Sequence, residues 1–262
     1  SGPTGLGSGI WRWSGNQVYS FIGEYANLKI NPTGEESLDI VTSENTGNLF
    51  QGTGLCTIRN ANFHLSSATN LVMETKARFD DCNLHGNGLS SHVELKGRTN
   101  WTGGSLNHVH LVANCPGTAS FKGLAGTAYG TWLECTGNGT RLDDFQFFDS
   151  RLSLTDAHPL SWIKGCSFDG GTSAQFPQLS VSNSEPSIRC ENCIFSSHSK
   201  GIEIEEGILN ISCSEFENLI EALNLNDDGI VDMTAQNGRN NLHDNATHFR
   251  LNNAPVPLLA DG

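Results

Sequence analysis

Acidic side chains in the second half of the chain are the clearest candidates for chemistry. Glu206 and Asp227 are 21 residues apart, and Asp228 follows directly. On adjacent turns of a repeating structure these carboxylates would cluster, and clustered hard oxygen ligands suit Ca²⁺. The spacing therefore suggests a calcium site at Glu206, Asp227 and Asp228, with a solvated acidic edge as the alternative. No other cofactor is predicted.

Two pairs of adjacent aspartates are the candidates for general acid–base catalysis, which uses paired carboxylates in separate roles. The pairs are Asp80–Asp81 and Asp143–Asp144, and they follow Arg78 and Arg141 respectively on the same outward face. The aligned positions in neighbouring repeats are not acidic, and isolated charge pairs at a surface are common and weak. We therefore predict no catalytic residue.

Tryptophans are candidates for contacts with a carbohydrate or another protein. The repeat described below places Trp162 at an outward position, whereas Trp101 falls at an inward position and is expected in the core. Trp11 and Trp13 precede the repeat, where they could cover the first coil or dock against another molecule. Because single exposed aromatic residues are common, Trp162 can also be read as an ordinary surface residue.

The eight cysteines do not have the spacing of a small disulfide scaffold. Cys82, Cys166 and Cys193 share one inward position, where a thiol behaves as a small apolar side chain. Cys166 and Cys193 fall on neighbouring coils, so a disulfide between them is an alternative. Cys190 and Cys193 have a spacing found in zinc sites, but both point inward and no second pair accompanies them.

Four N-x-S/T sequons are candidates for glycosylation in a secretory context. They also arise by chance in a chain rich in asparagine. The repeat places the first and third of them at outward positions. The sequons begin at Asn100, Asn138, Asn210 and Asn245.

The elements that must position these side chains recur about every 21 residues. Each repeat has an apolar anchor flanked by polar residues, and further inward residues lie two, five and seven positions before it. Self-similarity at such a period is the signature of a solenoid. The anchors are Phe63, Leu84, Leu106, Phe147, Phe168, Phe195, Phe216 and Leu242.

Apolar and polar residues alternate within each repeat, which indicates strands because successive side chains point to opposite faces. A second alternating pair follows most anchors, as in Val93/Leu95, Val109/Leu111 and Ile202/Ile204. Turns rich in Gly, Asn, Asp and Ser separate the strands, and no sustained helical period occurs. We predict an all-β parallel β-helix with about eight to ten coils of roughly 21 residues, each with three short strands.

One outward row of this β-helix contains histidines. His64, His85 and Asn107 directly follow three successive anchors. Imidazoles about 5 Å apart on adjacent strands could hold a metal ion, and a solvated polar row is the alternative.

Several motifs resemble the right-handed parallel β-helix superfamily, also described as pectin-lyase-like. They are NANFH, DDCNLHG, KGCSFDGG, ENCIFSSH and CSEFEN, and the resemblance covers residues 50 to 253. It implies a single-stranded, right-handed β-solenoid. Because that superfamily includes pectin-degrading enzymes, phage tailspikes, adhesins and surface proteins, the resemblance implies little about function.

The repeat predicts one elongated domain. We expect an N-terminal tail, cap or docking segment over 1–20, the β-helix over 21–253 and a C-terminal tail over 254–262. The net charge of −13 argues against nucleic-acid binding. The sequence also contains no apolar run long enough for membrane insertion.

These features favour a non-catalytic structural or adhesive β-solenoid located outside the cell or at its surface. We expect head-to-tail self-association, as in a fibre subunit or stalk, or contacts with neighbouring domains. The alternative is a carbohydrate-active enzyme, such as a polysaccharide lyase or hydrolase, or a tailspike-like glycan-binding protein.

Overall fold

The structure is a computed structural model that describes most of the chain. It describes residues 55–253 apart from 66–69, 75, 89, 116, 124–129, 137–138, 159, 171–174, 183–187 and 235–238, and outside that range only the backbone of short strands. Parallel coils stacked about 22 residues apart form a β-solenoid of about seven turns. All secondary structure in the described residues is β, so no helix there is long and apolar enough to cross a membrane.

The chain divides into two compact units, Ser1–Leu133 and Glu134–Gly262. The boundary falls within strand β14 (Trp132–Thr136). The strands of the first unit are β1 (Gly7–Trp11), β2 (Gln17–Tyr19), β3 (Tyr25–Ile30), β4 (Leu38–Val41), β5 (Thr46–Phe50), β6 (Leu55–Arg59), β7 (Ala61–His64), β8 (Asn70–Met73), β9 (Lys76–His85), β10 (His92–Leu95), β11 (Thr99–Asn107), β12 (His110–Ala113) and β13 (Ala119–Lys122).

The second unit contains the remaining strands. They are β15 (Thr140–Asp143), β16 (Gln146–Phe148), β17 (Arg151–Thr155), β18 (Trp162–Lys164), β19 (Ser167–Asp169), β20 (Leu179–Ser182), β21 (Ile188–Glu191), β22 (Ile194–Ser196), β23 (Lys200–Ser212), β24 (Glu215–Glu217), β25 (Glu221–Asp232), β26 (Asn241–His243), β27 (Thr247–Asn252) and β28 (Leu258–Leu259).

Strand β9 shows how the alternation of the sequence becomes a coil. Ala77 and Phe79 point inward and are buried, while Arg78 between them is exposed. The alternation slips by one residue at Asp81, which has a φ of 52°. Cys82 and the next inward residues are therefore buried again, and the chain turns a corner without leaving the stack.

In the second unit the coils stack into three parallel sheets. The first contains β15, β18, β21, β23, β25 and β28, and the second contains β16, β19, β22, β24 and β26. The third contains β17, β20, β23, β25 and β27. Strands β23 and β25 contribute to two sheets because each continues from one coil into the next.

Residues with left-handed backbone conformation recur at the corner three positions before seven of the eight anchors. Asparagine, aspartate and glycine tolerate a positive φ better than other residues, which explains the composition of this row. The described members are Asn60, Asp81, Gly103, Asp144, Gly165, Asn192 and Cys213.

Aromatic side chains stack along the core of each unit. In the second unit the rings of Phe147, Phe168, Phe195 and Phe216 lie parallel, with centroids 4.5, 4.6 and 4.9 Å apart. In the first unit the Trp101 ring packs on Phe79 at 4.3 Å and is 1% exposed, as predicted from its inward register. Complete burial of such rings is among the largest stabilising contributions in a core.

The last coil of the second unit leaves its apolar residues partly uncovered. Leu223 and Leu225 on β25 are completely buried. Their partners on β27 are Phe249, which is half-buried, and Leu251, which is 49% exposed. The stack of described coils therefore ends on an apolar face.

The coils differ in length, as the anchors predict. Phe168 and Phe195 are paired across 27 residues, whereas Phe195 and Phe216 are paired across 21. One detail of the predicted repeat was wrong. Val93 and Leu95 on β10 pair with Leu111 and Ala113 on β12. The second inward pair after Leu106 is therefore Leu111 and Ala113, whereas Val109 and Leu111 had been predicted.

Candidate functional site

In the first unit Asp80 is held by two arginines. Arg59 Nε donates to Asp80 Oδ2 at 3.0 Å, and Arg78 Nε donates to Asp80 Oδ1 at 3.1 Å. Both arginines are about half exposed, and such pairs contribute up to about 1 kcal/mol. Asp81 occupies the left-handed corner instead, with its Oδ1 directly beneath Gly103. The structure thus gives the two aspartates separate roles in the coil.

Amides, hydroxyls and imidazoles on β7, β9 and β11 form hydrogen-bonded rows along the stack. Asn83 Nδ2 donates to Asn62 Oδ1 at 2.7 Å, and Ser105 Oγ donates to Asn83 Oδ1 at 2.8 Å. The His64 and His85 rings stack at 5.2 Å. His64 pairs with His85, and His85 pairs with Asn107, in the register of the three strands, which confirms the predicted row of these residues. Asn107 Nδ2 donates to His85 Nδ1 at 3.2 Å.

A second stack of rings lies on β10 and β12 of the same unit. His92 and His110 approach each other through their Nδ1 atoms at 3.1 Å, so one ring donates and the other accepts. The His110 ring lies flat against Trp132 at 3.9 Å. The sequence does contain a signal for this stack, since His92 and His110 immediately precede inward residues paired in the two strands.

In the second unit Trp162 lies at the outward position predicted for it and is half-buried. Its Nε1 donates to Asp143 Oδ1 at 3.0 Å, and the Arg141 guanidinium covers its ring at 4.3 Å. The expected Arg141–Asp143 pair is thus replaced by contacts that both residues make with Trp162. A sugar could stack only on the part of the indole that these neighbours leave exposed.

Glutamates and asparagines form a continuous network on β23, β25 and β27. Glu203 accepts hydrogen bonds from Lys200 Nζ at 3.2 Å and Asn224 Nδ2 at 2.8 Å. Asn226 Nδ2 donates to Glu205 at 3.0 Å, and Asn252 donates to the oxygens of both asparagines. This network corresponds to the solvated acidic edge that was the alternative to a calcium site, joined by a ladder of asparagines.

The three residues predicted for calcium lie at the end of this network, and all are exposed. Glu206 pairs with Asp228 rather than with Asp227, because the register shifts after Ile204. Asp227 has a φ of 40° and is the extra residue in this coil. Their carboxylates do not form a group of three ligand atoms within 4.8 Å of one another, and calcium binding by these residues stays a prediction.

A different group of possible ligands occurs on β24 and β26. Glu215 and Glu217 flank the buried Phe216, and His243 is the register partner of Glu217. The ligand atoms of these three residues lie within 4.8 Å of one another, and no other such group occurs in the part of the chain that the structure describes. Hydrogen bonds with Asp244 and Glu215 raise the pKa of His243 to about 8.

This group was not predicted from the sequence, because the residues beside the anchors were interpreted as solvated flanks. The sequence does indicate this group, through the two residues on either side of each anchor. These residues are Glu215 and Glu217 beside Phe216, and Asn241 and His243 beside Leu242 in the next coil. Alignment of the two coils on their anchors places His243 next to Glu217.

The cysteines predicted for a disulfide are neighbours in the core and are present as thiols. The hydrogen bond with Cys193, followed by burial, raises the pKa of Cys166. For Cys193 the contact with Cys166 lowers the pKa, but Cys190 and burial outweigh it, so the pKa is well above its usual value. Both thiols are consequently poor nucleophiles.

The predicted sequons have different environments. Asn100 is exposed on β11 and Asn210 is half-buried on β23, whereas Asn138 lies outside the described residues. Both polar atoms of the Asn245 side chain bind the backbone of the preceding coil. Its Oδ1 accepts from Leu219 N at 2.9 Å, and its Nδ2 donates to Phe216 O at 2.8 Å.

The tryptophans proposed for docking at the N-terminus lie outside the residues whose side chains are described. Trp11 ends β1, of which the backbone alone is described, and Trp13 falls in an undescribed segment.

Comparisons with protein-family models, curated proteins and solved structures found no match to this chain.

Proposed function

We propose that this protein is a non-catalytic structural β-solenoid that extends by docking onto another copy of itself. The observation that carries the proposal is the uncovered apolar face of the last coil. Leu251 is 49% exposed although its register partner, Leu225, is completely buried. A parallel coil with the same strand spacing is the natural cover for such a face, because every preceding coil covers its neighbour in that way.

The first unit offers a suitable surface for this contact. Strand β1 pairs with β3 and strand β2 pairs with β4, and neither has a second partner among the described strands. An exposed strand edge is a template for pairing with another chain. Docking of this edge on the last coil of a second copy would be head-to-tail, and such contacts build fibres when they do not close into rings.

The outward side chains support a structural role rather than catalysis. Asp80, Asp143 and Glu203 accept hydrogen bonds from side chains of neighbouring coils, and these contacts connect the coils. Both carboxylate oxygens of Asp80 accept from arginines. Membership of the right-handed parallel β-helix superfamily and carbohydrate-linked activity stay predictions.

An extracellular location belongs to this proposal. Burial raises the pKa of Cys82 to about 12 and that of Cys115 to about 11, so these thiols resist oxidation. The fold could then persist in an oxidising compartment without disulfides. Detection of the intact protein in the medium or at the surface of its native cells would support this location, and purely cytosolic recovery would contradict it.

Sedimentation velocity over a concentration series, with negative-stain microscopy, tests the docking proposal. We expect the wild-type chain to form concentration-dependent linear oligomers. Leu251→Asp should shift the distribution at least tenfold in concentration toward monomer, because it places a charge on the docking face. Leu160→Asp is the matched control, since Leu160 is 61% exposed but lies in a turn before β18.

A monodisperse wild-type monomer at high concentration would contradict the proposal, and so would an equal effect of the two substitutions. A screen of acidic polysaccharides with and without Ca²⁺ addresses the enzymatic alternative. Product release that is lost in Asp143→Asn or Asp227→Asn would replace the structural proposal by that alternative.

A further inference from the structure

Two glutamates and a histidine project from one face of the second unit. Glu215 and Glu217 are two residues apart on β24, so both point away from the core while Phe216 between them is completely buried. His243 projects from β26, which pairs with β24 in parallel. The buried aromatic stack, which includes Phe216, holds β24 in place. The strand geometry sets the separation of Glu215 and Glu217, and the pairing of β24 with β26 places His243 beside them.

The imidazole of His243 is oriented toward the glutamates. Its Nδ1 lies 2.9 Å from Asp244 Oδ2, which leaves Nε2 2.9 Å from Glu215 Oε1. A carboxylate that binds the remote nitrogen of a histidine is the usual outer contact of a metal ligand. In a six-coordinate site, two adjacent ligands about 2.1 Å from the ion lie about 3.0 Å apart. The observed spacing of Nε2 and Oε1 therefore suits adjacent ligands of one ion.

The charge balance of the group also favours a cation. The Glu217 carboxylate makes no hydrogen bond or ion pair with the described residues, although it belongs to the group of ligand atoms within 4.8 Å. Within the same part of the chain, no lysine or arginine pairs with Glu215, Glu217 or Asp244. Three carboxylates thus surround one imidazole, and a divalent ion would reduce their mutual repulsion.

We propose that Glu215, Glu217 and His243 bind a divalent transition-metal ion. The combination of one imidazole nitrogen with carboxylate oxygens suits Zn²⁺ or Mn²⁺, whereas Ca²⁺ selects oxygen ligands alone. Water would complete the coordination, because the three side chains are only half-buried. The proposal is independent of self-association and places the metal away from the residues first predicted for calcium.

Isothermal titration of the full chain with ZnCl₂ at a fixed pH of about 8, where much of the His243 imidazole is neutral, tests this site. We expect one Zn²⁺ per chain and at least tenfold weaker binding for His243→Gln and Glu217→Gln. Glu217→Gln removes no contact with a described residue, so it should fold even if the histidine variant does not. His248→Gln is the matched control, because His248 is exposed on the adjacent strand β27 outside the group.

Circular dichroism of each variant confirms that the fold is retained. Unchanged Zn²⁺ affinity in both Glu217→Gln and His243→Gln would overturn the proposal. Equal losses in His248→Gln would do the same, since they would indicate nonspecific surface binding. A titration in which Ca²⁺ binds the wild-type chain as tightly as Zn²⁺ would contradict the assignment to a transition metal.

Discussion

At the level of single residues, the strictest demand on side-chain identity occurs at Gly104, directly after the corner residue Gly103. Gly104 has a φ of 79°, and a Cβ at this position would lie 1.9 Å from the carbonyl oxygen of Cys82. The indole of Trp101 donates to that same oxygen at 3.3 Å. Glycine at this corner therefore allows two coils to approach closely and lets the largest core side chain satisfy its polar atom.

We expect Gly104→Ala to lower the free energy of unfolding by more than about 2 kcal/mol, because the added methyl group meets backbone and the left-handed conformation is strained. Gly123→Ala is the control. Gly123 also has a positive φ, of 57°, but no described atom lies within 4 Å of the position that a Cβ would take, so strain alone should cost about 1 kcal/mol. Urea denaturation measures both changes, and equal losses would disprove the role of the close approach.

His198 provides a second prediction at this scale. Burial lowers its pKa, and its Nδ1 lies 3.0 Å from the backbone nitrogen of Lys200. The folded state disfavours the protonated ring, so the free energy of unfolding should decrease as the pH falls below about 6.5, the pKa of a histidine in an unfolded chain. A histidine whose pKa is raised by folding would instead stabilise the fold at low pH.

The difference in unfolding free energy between wild type and His198→Gln should therefore change between pH 8 and pH 5. The wild-type chain should lose more stability on acidification, since glutamine does not titrate. Denaturation curves at several pH values measure the difference. Parallel pH profiles for the two chains would show that His198 does not contribute.

At the level of elements, stability depends on stacking of equivalent side chains from coil to coil. The Phe147–Phe216 stack supports strands β16, β19, β22 and β24 from within, and polar rows connect the same coils from outside. Each coil contacts mainly its neighbours, as in other solenoids. The loss of one ring in the middle of the stack should therefore leave a cavity between two coils.

Phe195→Ala should reduce the free energy of unfolding by about 3–5 kcal/mol, because Phe195 is fully buried between Phe168 and Phe216. Phe176→Ala is the comparison. Phe176 is 44% exposed and packs under the Arg151 guanidinium at 3.8 Å, so its removal should cost only about 0.5–1 kcal/mol. Thermal and urea unfolding of both variants test the contrast, which would fail if the two losses were similar.

At the level of the whole molecule, the net charge of −13 opposes the proposed self-association. Copies of the same acidic chain repel each other, and added salt screens this repulsion. The apolar contact proposed for Leu251 is much less sensitive to salt. Association should consequently strengthen with ionic strength, which is the reverse of what an ionic interface would show.

We expect the midpoint concentration for oligomerisation to fall when NaCl is raised from about 20 mM to about 300 mM, over which the Debye length falls several-fold. Sedimentation velocity at matched protein concentrations measures this shift. Leu251→Asp should stay monomeric throughout that range. Weaker association of the wild-type chain at high salt would instead indicate charge pairs across the interface.

The sequence by itself determined the coil and its inward face. Alternation of period two assigns side chains to faces locally, so Trp101, Phe195 and most cysteines could be placed in the core without coordinates. Turns rich in Gly, Asn, Asp and Ser were also predicted from the sequence, whereas the left-handed residue three positions before an anchor was not.

Only the tertiary structure decided which outward side chains meet. That depends on the length of every intervening loop and on bulges, which local patterns do not encode. A single extra residue placed Glu206 beside Asp228 instead of Asp227. A coil of 26 residues between Phe216 and Leu242 brought His243 to the two glutamates. Chemistry at the surface of a solenoid is thus set by register between coils, whereas its core is set within each coil.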